Sequence, residues 1–133
     1  MTRSLRLFLI VCFFAFTASF IVQMLFQNLG AEKSVWGGNA GWQREIAFWN
    51  VGLAVIVLLT LRLKDPRTGF IVAVGCTCLF ALLGLNHLWA FMAHPTAQFH
   101  WPPLALNTIG VVFGLRVILQ THHHLSSLET EGK

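Results

Sequence analysis

The stretch PRTGFIVAVGCTCLFALLGLNHLWAFMA, from Pro66 to Ala93, carries a single charged side chain, Arg67, near its start. As a helix it rises about 42 Å at 1.5 Å per residue. That exceeds the roughly 30 Å hydrocarbon core of a bilayer. Asp65 before Pro66 supplies a helix N-cap followed by proline at the first helical position, so the run reads as one helix with a defined start. Working outward from it, three more apolar segments emerge, at about 5–28, 44–61 and 103–120. Trp101-Pro102-Pro103 opens the last in a similar way.

Composition points in the same direction. Of 133 residues, 56% are hydrophobic and 11% charged, against roughly 25% charged in an ordinary soluble domain. A small soluble domain has a large surface for its volume and needs more charge than this to cover it. The expected fold class is therefore all-α, an integral membrane four-helix bundle. Residues 1–121 form a single four-span domain and 122–133 a cytoplasmic tail. Arg3 and Arg6 precede the first segment as they would a secretory signal, but the uncharged run reaches Phe26, and it reads as a retained span.

Lysine and arginine counts set the orientation. Arg3, Arg6, Arg62, Lys64, Arg67, Arg116 and Lys133 fall on one side of a four-span chain, and Lys33 and Arg44 on the other. Seven against two places both termini in the cytoplasm. The net charge of +4 thus has a topological explanation, and with no basic stripe interleaved with aromatics no nucleic-acid partner is expected.

Uncharged polar residues are distributed unevenly in depth. Gln23, Gln27 and Asn28 end the first span, Asn50 lies in the second, Asn86 and His87 approach the outer end of the third, and Asn107 begins the fourth. All five tryptophans, Trp36, Trp42, Trp49, Trp89 and Trp101, share the outer half. Interfacial belts and interhelical amide bonds account for such residues. A belt, however, belongs at both interfaces, and buried polar groups need partners. Asn50, Asn86 and His87 therefore either pair across helices or line a cavity.

Glu45 is read on the first turn of the second helix, where the helix dipole favours a carboxylate. It is either an interfacial carboxylate or the mouth of a pocket holding a cationic or hydroxyl group. Trp49 and Gly52 follow it on the same face. The ligand-binding candidates are Glu45, Trp49, Asn50, Asn86, His87 and Asn107. No metal site is expected, because His87 and His94 are i, i+7 and no span carries the i, i+3 or i, i+4 histidine pair that a helical site uses. His87 and His100 are the weak metal candidates, and they meet only through the tertiary fold. Gly110 and Gly114 form a G-x-x-x-G that permits close helix packing. Cys12, Cys76 and Cys78 make no C-x-x-C, and the latter two point about 200° apart on a helix. His122-His123-His124 reads as a solvated tail.

The segment from Trp42 to Gly52, WQREIAFWNVG, together with Gly84-Leu-Asn-His87, resembles small four-helix bacterial membrane proteins of the DoxX-like kind. That resemblance implies a bacterial inner membrane and accessory roles in quinone-linked or thiol redox complexes. Three functions are carried forward. The first is an outward-facing pocket for a quinone- or lipid-like amphiphile, alone or as an accessory subunit. The second is a redox or acid-base enzyme using His87 and Glu45. The third is a transporter or channel subunit. No cofactor is predicted, quinone and haem being the candidates, and the partners are membrane lipids with a homo-oligomer or a larger membrane complex.

Overall fold

A computed structural model describes residues 1–26, 34–96 and 98–131. Expectations that involve Gln27, Asn28, Lys33 and Lys133 lie outside the described residues. The elements are α1 (Arg3–Leu25), α2 (Ala40–Leu63), α3 (Pro66–Ala93), a 3-10 turn at Gln98–His100 and α4 (Trp101–Glu131). Among the described residues there is no strand, and four helices are long and apolar enough to cross a membrane. The segment expected to end near 120 continues as helix to Glu131, so the histidine triplet is helical.

Local chemistry sets the helix ends. The Thr2 hydroxyl accepts from the Leu5 N–H at 3.3 Å, and Asn39 Oδ1 accepts from the Trp42 N–H at 3.0 Å. At α3 the Asp65 carboxylate accepts from both the Thr68 hydroxyl and the Thr68 N–H, at 2.6 and 2.7 Å. These two bonds hold its carboxyl below the usual carboxylate range. Lys64, in the left-handed region at φ 57°, ends α2 with its N–H on Thr60 O. The Asn39 cap corrects one expectation. Because α2 begins at Ala40, Glu45 lies in the second turn, beyond the first-turn N–H groups whose partial charge would favour its carboxylate.

The helices pack as two hairpins, α1 with α2 and α3 with α4, with a smaller interface between the pairs. Glycines make the second hairpin tight. A Cβ on Gly110 would stand 2.7 Å from Phe80 Cδ2, and one on Gly114 would run into the Thr77 side chain, so the G-x-x-x-G faces α3. Thr77 itself bonds back to Ala73 O at 2.7 Å, and Thr60 to Ile56 O at 2.8 Å, which satisfies both buried hydroxyls within their own helices.

Between the hairpins α1 and α3 run parallel in a constant register. Leu5 meets Gly69, Cys12 meets Cys76, and the rings of Phe16 and Phe80 stack at 6.0 Å. Each pair is 64 positions apart in the chain. Phe8 adds an edge contact to Phe113 of α4 at 5.3 Å. These residues, with Leu9, Ala54, Val57, Ala73 and Val117, form the core.

The outside is as apolar as the inside. Phe14, Ile71 and Leu106 are 63%, 69% and 70% exposed, and all five tryptophans are exposed. A contiguous apolar surface of this extent is the inverse of a soluble domain. Met1, Gly69, Phe70 and His122 gather at one end of the molecule, where α1 begins and the α2–α3 turn lies. Trp36, His87 and His100 gather at the other.

Candidate functional site

Three separate polar arrangements lie toward the end that holds Trp36 and His100. The first joins the hairpins. His100, on the 3-10 turn, is fully buried, and its Nε2 accepts from the Val35 N–H at 3.4 Å. A neutral imidazole that accepts at one nitrogen carries its proton on the other. His100 Nδ1–H therefore donates to His87 Nδ1, 3.2 Å away, and the His87 proton sits on Nε2. Trp36 covers both rings, with centroids 4.5 Å from His100 and 5.0 Å from His87. Burial, with His94 nearby, lowers the His100 pKa from its ordinary 6.5.

This bonding uses both Nδ1 atoms for one proton. A metal on His100 Nδ1 would instead require a proton on Nε2, facing the Val35 N–H, the opposite of the outward-donating support that metal-bound histidines have. Among the described residues no group of three or more His, Cys, Asp or Glu side chains is placed to hold a metal ion.

The second arrangement lies within the first hairpin. Asn50 Nδ2 donates to Ser19 Oγ at 3.2 Å and to Ile46 O at 3.0 Å, and Gln23 Nε2 donates to the same hydroxyl at 3.3 Å. The buried Oε1 atoms of Gln23 and of Gln43 accept no hydrogen bond among the described residues. This end of the α1–α2 seam is thus supplied with acceptors and short of donors.

The third is a groove along one face of α2, lined by Glu45, Phe48, Trp49, Gly52, Leu53 and Ile56. Their spacing of i, i+3, i+4, i+7, i+8 and i+11 spans about 16 Å. Gly52 forms its notch, since a Cβ there would meet no atom within 4 Å. Among the described residues Glu45 is the one ionisable side chain lining it, at the end nearer the start of α2, and the other walls are apolar.

The six ligand candidates are therefore distributed rather than gathered in one cavity. Glu45 and Trp49 share the groove, Asn50 is bonded to α1, and His87 belongs to the histidine pair. Asn107 bonds to Pro103 O at 2.9 Å and packs beside Gly84, while Asn86 is exposed. Reading the sequence missed Ser19, Gln43, Val35 and the groove residues Phe48, Leu53 and Ile56. The i, i+3, i+4 spacing after Glu45 was the signal that could have found the groove. Compared with known proteins, the chain matches no family model, no curated protein and no solved structure.

Proposed function

We propose that this chain is a multi-pass protein of a cell membrane, both termini cytoplasmic, that holds a quinone- or lipid-like amphiphile in the α2 groove. It does so on its own or as an accessory subunit of a membrane complex. A bacterial inner membrane and the DoxX-like kinship belong to the same reading. The basic residues Arg3, Arg6, Arg62, Lys64 and Arg67 lie together where α1 begins and α2 turns into α3, which supports the orientation.

The observation that carries the reading is the groove itself, a carboxylate at the outer rim above apolar walls. A head that donates, such as an ammonium or a quinol hydroxyl, suits Glu45. An acyl or prenyl chain suits Phe48, Gly52, Leu53 and Ile56. The test uses vesicles of phosphatidylethanolamine and phosphatidylglycerol doped with a ubiquinol. Protein extracted from them is followed by native mass spectrometry through stepwise removal of detergent and lipid. Wild type is expected to retain one amphiphile, and Glu45→Gln or Gly52→Phe to weaken retention about tenfold, a loss of about 1.4 kcal/mol. Neither substitution disturbs packing, since both positions are exposed. Equal retention by all three proteins would overturn the proposal.

A further inference from the structure

The buried thiols of Cys12 and Cys76 have no part in the groove or in the histidine pair. Cys12 is fully buried and Cys76 is 5% exposed, and both lie in the one core cluster that packs between α1 and α3. Two features of the fold bring them together. Gly69 and Ala73 line the buried face of α3 ahead of Cys76, and a Cβ on Gly69 would stand only 3.1 Å from Leu5, so α1 approaches closely there. The parallel register then repeats two turns on, from Leu5 and Gly69 to Cys12 and Cys76. A disulfide needs its Cα atoms about 4.4–6.8 Å apart, and small residues at a helix crossing permit such an approach.

We infer that Cys12 and Cys76 are an oxidisable dithiol, closing to a disulfide that fastens the α1–α2 hairpin to the α3–α4 hairpin. The two S–H bonds break and one S–S bond forms. Two protons and two electrons leave to a membrane-permeant hydrogen acceptor, a quinone becoming a hydroquinone or a diazene becoming a hydrazine. Cys78 is exposed on the opposite face of α3 and takes no part. It serves as an internal control, because chemistry governed by access alone would select Cys78 first.

The experiment uses the full chain in phosphatidylcholine vesicles with glutathione enclosed as a reporter, oxidised with the diazene diamide. Remaining thiols are trapped with maleimide after denaturation in detergent, and the intact mass and a peptide map are read. Labels per chain are expected to fall from three to one, the survivor at Cys78, and to return to three after reduction. Cys12→Ser and Cys76→Ser are each expected to keep both remaining labels. Retention of all three wild-type labels under conditions that oxidise the glutathione would overturn the inference. So would loss of the Cys78 label with Cys12 and Cys76 still labelled.

Discussion

The interface between the two hairpins is built by different chemistry at its two levels. From the Met1 end to the middle it is made of Leu5 on Gly69, Phe8 on Phe113, Cys12 on Cys76 and Phe16 on Phe80, with the α1 members buried. At the opposite end it is Val35, Trp36, His87 and His100, joined by two hydrogen bonds and ring contacts. The first depends on close shape fit and is indifferent to pH. The second depends on where one proton sits. In lipid no hydrophobic force draws helices together, so shape fit and hydrogen bonds have to do so. Shape fit thus holds the hairpins together near Met1, and a proton-dependent bond holds them at His100.

Substitutions can break this contrast, and the largest effect is expected at the tightest glycine. Gly114→Leu puts a side chain into Thr77 and should cost about 3 kcal/mol or prevent folding. Gly52→Leu, with open space around it, should leave stability within about 0.5 kcal/mol. Unfolding midpoints in mixed micelles measure both. Phe8→Ala removes the ring that meets Phe113 and should cost about 2 kcal/mol. This is below the usual core value because the unfolded chain also leaves that ring in lipid or detergent rather than in water.

At the opposite end His100→Ala leaves the Val35 N–H and His87 without their partner and should cost about 1.5 kcal/mol. Acid should do the same to the wild type. The native pKa of His100 lies below its ordinary 6.5, so between these values the unfolded chain binds a proton that the folded chain does not. The contribution is complete above pH 6.5 and is lost as pH falls through the lowered native value. Trp36 emission, compared between wild type and Trp36→Phe, reports the opening. The midpoint for Phe8→Ala unfolding should shift with pH no differently from that of wild type. Asn39→Ala, which removes only the α2 cap, should cost about 1 kcal/mol and lower amide protection at Trp42.

Much of this architecture is legible in the chain and some is not, for one physical reason. Length, apolarity and the Asp65-Pro66 cap locate the starts of all four helices and the ends of the first three to within about four residues, because those signals are local, whereas α4 runs on past the expected end near 120 to Glu131. Which face of each span turns inward is a different matter. Helices that are apolar all round carry no stripe to mark the core side. The meeting of His87 with His100 and of Cys12 with Cys76 is therefore invisible until the helices are packed. The same absence hides Ser19 as the partner of Asn50. Glu45 is misplaced by one turn for a more ordinary reason. Asn39, amid the glycines of Gly37-Gly38-Asn39-Ala40-Gly41, looks like loop but caps the helix.

The groove on α2 is the central claim, and its notch offers a direct probe. With glycine labelled in the full chain and a ubiquinol in nanodiscs, intermolecular NOEs can be read from the Gly52 Hα protons. The account predicts NOEs to prenyl-chain protons that vanish in Glu45→Gln, while Gly114, packed against Thr77, shows none in either protein. NOEs at Gly52 only to bulk lipid, unchanged by Glu45→Gln, would contradict it.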